Sequence, residues 1–230
     1  MPIVNVMKEK ELKNAYIGEY RVPWSNTVAY FPLKEDAVDI KNNISLTSYG
    51  TTNYTTVWWV NSAEFTKSNW LYRTDVAWLP QWDVAKTLSI WIYPKWTKSF
   101  WTWIAQFWIN SEQAWSICWF GFSPNTCDLL MTRGYSTSNT YTLTQNQWSN
   151  AVITYSNSVW TLYVNWIAQV TWNTTSPSWW TKIYVWSNID GTNNTTTFYG
   201  NLSSFIIEDK SRTAQEVSDY YNSTKANYWL

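Results

Sequence analysis

The run from Gln147 to Trp166 constrains the fold of this chain more than any other stretch. Gln147-Trp148-Ser149-Asn150-Ala151-Val152-Ile153-Thr154-Tyr155 alternates after a tryptophan anchor, with Ala151, Ile153 and Tyr155 on one side and Val152 and Thr154 on the other. That is the period of a half-buried strand. The polar turn Ser156-Asn157-Ser158 leads into Thr161-Leu162-Tyr163-Val164, and beyond Asn165-Trp166 the run Ile167-Ala168-Gln169-Val170 resumes the pattern. Three strands in succession predict an antiparallel meander.

Asn165-Trp166 is the odd point in it. So short a turn between two β runs calls for Asn-Gly, because type I′ geometry needs φ > 0 at both central residues, which tryptophan tolerates poorly. Similar places recur: Trp186 follows Ile183-Tyr184-Val185, Trp82 follows Pro80-Gln81, and Trp58-Trp59 precede Val60. The chain has 21 tryptophans and 6 glycines, where average usage would give roughly 16 glycines. One reading is that the gene comes from a bacterium or virus that decodes UGA as glycine, while this sequence carries tryptophan at those codons. Trp91 and Trp148 would then be among the authentic tryptophans. The other reading is a tryptophan-rich protein with aromatic binding platforms.

At 230 residues the chain suits one large β domain. It is rich in Thr, Ser, Asn and Tyr and poor in charge, the composition of a sandwich with polar loops. Lys and Arg balance Asp and Glu at 16 each and are scattered, so the footprint of a nucleic-acid binder is missing. No apolar run is long enough to span a membrane. Residues 1–10 lack the basic region and apolar core of a secretory signal, so export is expected by another route or from a signal absent here. Cys118 and Cys127 flank a hairpin at residues 120–126, where the register decides between a disulfide and two buried thiols.

Taken in order, residues 5–15 form a short helix candidate with Asn5 as cap, and residues 1–24 read as an arm outside the main domain, a tail or lid or else an attachment segment. Residues 25–230 form the β domain, beginning at Thr27-Val28-Ala29-Tyr30-Phe31-Pro32-Leu33. Strands are expected near 45–49, 61–65, 86–93, 102–108, 115–121, 128–133, 140–144, 150–156, 160–165, 167–172, 182–186 and 198–208. Helical periodicity is absent between residues 25 and 210, which points to an antiparallel sandwich. Thr213 followed by Glu216 is a capping box that predicts a short closing helix.

These pieces, in this order, resemble the laminin-G-like jelly rolls of the concanavalin A-like lectin and glucanase superfamily over about residues 25–225. The matching segments are Val28-Ala29-Tyr30-Phe31-Pro32-Leu33 with Asp36 and Asp39; Asn61-Ser62-Ala63-Glu64-Phe65; Lys86 through Pro94; Gln147 through Tyr155; Leu162-Tyr163-Val164-Asn165; and Phe198 through Ile207 leading into the Thr213 helix. The chain departs from the family mainly at Trp58, Trp59, Trp166 and Trp186, where relatives usually carry glycine. The resemblance implies an all-β, two-sheet jelly-roll sandwich with a short C-terminal helix. It also implies a role in holding glycan or protein at an extracellular, cell or virion surface.

Chemistry is sparse. Without histidine there is no Ser-His-Asp or Cys-His arrangement and no commonest zinc ligand, and the Glu-x-Asp-x-x-Glu spacing of the superfamily's glucanases is absent. Glu208-Asp209 reads as a solvated turn. No catalytic residue is assigned, and an enzyme is not expected. Asp36, Asp39, Asn42 and Asn43 form the densest oxygen cluster, and the resemblance implies a structural calcium there, with Asp36 and Asp39 as ligands; a polar loop with Asx turns is the alternative. Asp190-Gly191-Thr192-Asn193-Asn194 is a weaker cluster of the same kind. Tyr135, Tyr141, Tyr184 and Tyr199 are available for sugar stacking, though the sequence singles out none. The leading expectation is a non-catalytic recognition module for glycan or a surface protein. The rival is a structural subunit of a phage tail, virion or appendage, assembled as an oligomer through residues 1–24.

Overall fold

The computed structural model describes residues 25–66, 69–80, 84–96, 102–108, 117–122, 127–130, 132–133, 136–137, 141–173, 182–185 and 199–230. The arm at 1–24 with its helix candidate, the 190–194 cluster, Tyr135, Trp82 and Trp186 lie outside them.

The strands are β1 (Thr27–Phe31), β2 (Thr47–Tyr49), β3 (Asn53–Val57), β4 (Val60–Phe65), β5 (Trp70–Arg73) and β6 (Lys86–Trp96). Then come β7 (Thr102–Trp108), β8 (Ile117–Phe122), β9 (Asp128–Leu130), β10 (Thr132–Arg133), β11 (Ser136–Thr137) and β12 (Tyr141–Thr142). The chain continues through β13 (Ser149–Ser156), β14 (Val159–Val164), β15 (Ile167–Asn173), β16 (Lys182–Val185) and β17 (Tyr199–Glu208), and closes with helix α1 (Ala214–Thr224) and a 3-10 turn (Lys225–Tyr228).

Two antiparallel sheets form a sandwich. The first has the order β15-β14-β13-β6-β17-β4-β3, with β1 also on β17; the second runs β12-β9-β8-β7-β16-β5-β2, and β10 pairs with β11 apart. The chain crosses repeatedly between the sheets, as at β4 to β5 to β6 and β15 to β16 to β17, which is the alternation of a jelly roll. β17 is the hub. β6 lies along one edge, while β4 takes Gly200 to Leu202 and β1 takes Phe205 to Glu208 on the other. The changeover falls at Ser204, whose φ is 56° and whose N–H donates to the Pro32 carbonyl at 2.9 Å.

The meander is present. β13 pairs with β14 from Ala151 opposite Val164 to Ser156 opposite Val159, and β14 pairs with β15 from Val159 opposite Asn173 to Val164 opposite Ile167. β13 is not half-buried, however: seven of its eight residues are buried. Ala151, Ile153 and Tyr155 enter the inter-sheet core with Phe31, Leu88, Ile90, Leu71 and Ile183. Val152 on the opposite face packs with Tyr163 against Val217 of α1. A helix laid over the first sheet turns its outer face into a second core, so its inner strands are buried on both sides, with Thr87, Ser89, Asn150 and Thr154 among the buried polar residues.

That second core holds the two tryptophans singled out above. Trp91 stacks on Tyr228 with centroids 3.8 Å apart and planes 6° apart, and Trp148 meets Tyr228 edge-on at 5.2 Å. The Tyr228 hydroxyl donates to Ser203 Oγ at 3.1 Å.

Three strands escape the sequence pattern, β3, β5 and the two-residue β11. Asn53-Tyr54-Thr55-Thr56-Val57 is an edge strand with little apolar alternation, and Trp70-Leu71-Tyr72-Arg73 is only four residues long. The hairpin register also settles the cysteines. Phe122 lies opposite Leu129 and Gly121 opposite Leu130, which sets the level of Cys127 six residues from Cys118, about 20 Å along the strand. A disulfide cannot span that, and Cys127 is a free thiol.

Candidate functional site

The loop proposed for calcium is built around Asp39, which is fully buried. Its Oδ1 accepts from the N–H groups of Tyr30 at 2.6 Å and Lys41 at 3.2 Å, and its Oδ2 from the Asn42 backbone at 2.8 Å and Asn42 Nδ2 at 3.0 Å. Asp36 accepts from Val38 N–H at 3.1 Å. These are Asx-turn contacts: the Asp39 carboxylate ties the loop to β1, and Asn43 takes up a left-handed φ of 57°. No group of three or more His, Cys, Asp or Glu placed to hold a metal ion occurs among the described residues. Tyr54 stands near Asp36; burial, then the Asp36 charge, push its hydroxyl up to about 12.

A cleft of about 390 Å³ opens beside α1, lined by Asn26, Glu208, Lys210, Arg212, Glu216 and Tyr220 among others. Glu208 is not a solvated turn residue. It is 1% exposed, because β17 carries it under the helix to meet Arg212. The pair is close, Nη2 donating to Oε1 at 3.0 Å with Nε 2.6 Å from Oε2, and the guanidinium lies 4.4 Å over the Tyr220 ring. Burial pushes the Glu208 carboxyl up, with Arg212 opposing. Each carboxylate here is committed: Glu208 to Arg212, Glu216 to Lys210 and the Thr213 N–H, and Asp219 to the Gln215 amide. Such an arrangement fixes the helix on the sheet; it does not present a general acid and a general base with room between them.

The outer face of the second sheet is different. Leu71 opposes Val185 across β5 and β16, both buried in the inter-sheet core, so their neighbours in sequence point outward. Trp70 and Tyr72 on β5, Tyr49 on β2 and Lys182 and Tyr184 on β16 therefore share one face. Register places Tyr49 opposite Trp70 and Tyr72 opposite Tyr184. The first pair stacks at 3.7 Å and 12°, the second at 6.2 Å and 25°. The result is an aromatic row across three strands, spanning about 10 Å, in which Tyr49 is exposed, Tyr72 and Tyr184 are half-buried against the core, and Trp70 is buried. Burial, then Tyr72, push the Tyr184 hydroxyl up. Flat aromatic faces flanked by hydroxyls and an ammonium can stack on the C–H face of a sugar and hydrogen-bond its rim.

Of the tyrosines named from sequence, Tyr184 lies in this row, half-buried against the core as Tyr141 also is, and Tyr199 opens β17 half-buried. Tyr49, Trp70 and Tyr72 had no mark in the sequence. The clue available was a short alternation, Trp70-Leu71-Tyr72 beside Ile183-Tyr184-Val185, whose partners only strand pairing reveals.

No protein-family model and no curated protein sequence matches the chain. Solved structures do. Domain 4 of AbnA, a GH43 extracellular arabinanase from Geobacillus stearothermophilus, in complex with arabinotriose, is 16% identical with a TM-score of 0.68, over 85% of this chain and 98% of that one. A structure from work on botulinum neurotoxin type C, whose cell entry depends on interaction with two ganglioside molecules, is 14% identical with a TM-score of 0.66, over 87% and 52%. The binding domain of Paraclostridial Mosquitocidal Protein 1 is 17% identical with a TM-score of 0.64, over 87% and 52%. The chain spans about half the length of these last two. At such identities the likeness is one of fold.

Proposed function

We propose that this chain is a non-catalytic, laminin-G-like recognition module that binds glycan on the outer face of its second sheet, along Tyr49, Tyr72 and Tyr184. The observation that carries the reading is the pairing of Tyr72 with Tyr184, beside the exposed Tyr49 stacked on a buried Trp70, on adjacent strands of one sheet. A flat row suits an extended oligosaccharide better than a single enclosed sugar. The fold is shared with a domain seen with arabinotriose and with a toxin that engages gangliosides, which supports a saccharide as ligand and a place of action outside the cell or on a particle surface. The committed carboxylates beside α1 support binding without hydrolysis.

Calorimetric titration with arabino-oligosaccharides, alongside a glycan array, tests the reading. Saturable binding is expected, weakened roughly tenfold in Tyr72→Ala and in Tyr184→Ala, since a lost stacking partner is worth about one kcal/mol or a little more. Unfolding midpoints of the two variants separate lost contact from lost fold. Binding by neither probe set, or binding indifferent to both substitutions in folded protein, would falsify the proposal.

A further inference from the structure

We infer that residues 58, 59, 166 and 229 are glycine in the protein as its own host makes it, the tryptophans there being UGA codons that the host decodes as glycine. Three hairpins carry the argument. The partners Val57 and Val60, Ser156 and Val159, and Val164 and Ile167 each enclose a two-residue loop. The loop φ values are 52° and 69° at Trp58-Trp59, 50° and 63° at Asn157-Ser158, and 47° and 70° at Asn165-Trp166. All three are left-handed at both central positions, as the right-handed twist of the strands requires. Asparagine is among the residues that best tolerate this region, and a bulky aromatic among those that do so worst. Trp229 repeats the situation at a helix end: its φ is 60° just past the 3-10 turn, where a left-handed cap ordinarily falls to glycine.

Exposure separates the same residues again. Trp59 is 82% exposed, Trp229 65%, Trp58 59% and Trp166 46%, so these indoles gain little burial to offset the strained backbone. Trp91 and Trp148 are 0% and 2% exposed, lie outside the positive-φ set and pack on Tyr228, one stacked and one edge-on. Four of the eleven non-glycine residues with positive φ among the described residues are tryptophan, the residue type sterics would place there last. One codon reassignment explains both this and the 6 glycines in 230 residues. A consequence for recognition follows. The exposed indoles at the β3–β4 and β14–β15 turns and at the C-terminus are no binding platform, and ligand contact falls to the tyrosine face.

The test is peptide mass spectrometry of the host-made protein over residues 54–65, 160–170 and 226–230, read beside the gene's codons. Glycine masses at the four positions with UGA codons, and tryptophan with UGG at 91 and 148, are expected. Tryptophan mass at these four, or UGG codons there, overturns the inference. As a second readout, replacing the four by glycine in the chain as written is expected to raise the folding equilibrium constant, by up to about tenfold per position, while Trp91→Gly unfolds it. A four-glycine variant less stable than its parent would also count against the inference.

Discussion

Glu208 and Arg212 carry opposite charges out of water on a domain that is otherwise weakly charged. Their side chains are 2% and 3% exposed, and the ring of Tyr220 covers the guanidinium. Removing one partner strands the other, so Arg212→Met is expected to destabilise by about 3–5 kcal/mol, whereas pairing it with Glu208→Leu recovers most of the loss. Urea unfolding of the two variants measures this; equal losses in both would mean that the ion pair is not the dry, coupled unit described here. Nothing in the sequence hinted at burial, since Glu208-Asp209-Lys210 has the composition of a solvated turn. The left-handed tryptophans stand at the other extreme. Their backbone demand was legible from turn length alone, because a two-residue loop between β runs admits few geometries.

At the scale of the element, α1 is 11 residues long, short enough to be marginal in isolation. Its start is fixed by the capping box read from sequence: Glu216 N–H donates to Thr213 Oγ1 at 3.2 Å and Thr213 N–H to Glu216 Oε2 at 2.8 Å. Its packing comes from Val217, Tyr220, Tyr221 and Thr224, a stripe at helical spacing. Thr213→Ala should cost about 1 kcal/mol. The Glu216 carboxyl is held below its ordinary 4.5, first by Lys210 and then by the Thr213 N–H. A depressed folded value means that the stabilisation is present above the ordinary range and is lost as pH falls through the folded one. The stability gap between the parent and Glu216→Ala is therefore expected to be full at about pH 6 and to shrink at about pH 3. A gap that widened on acidification would contradict the assigned contacts. The strands divide in the same way. β13, β14 and β17 were legible because apolar residues alternate or run on within them, whereas β3 was hidden by its polar edge position and β5 by its length.

For the whole molecule, the helix and 3-10 turn are a third layer and not an appendage. Deleting residues 213–230 would open the faces of Trp91, Trp148, Tyr30 and Val152 to water. The truncated chain is expected to lose cooperative unfolding and near-ultraviolet circular dichroism, and to associate through the uncovered sheet; a soluble, cooperatively folding truncate would show the layer to be dispensable. Such a face exceeds what a monomeric domain leaves bare. Sequence by itself determined the strand meander, the closing helix with its cap, the absence of histidine chemistry and the turns that demand glycine, because each depends on residues a few positions apart. Only the tertiary structure decided which sheet faces are covered, that Glu208 is buried against Arg212, that the cysteines cannot meet and that Tyr72 and Tyr184 stand together. These depend on strand register and layer order, and both are set by contacts between residues that may be more than a hundred positions apart.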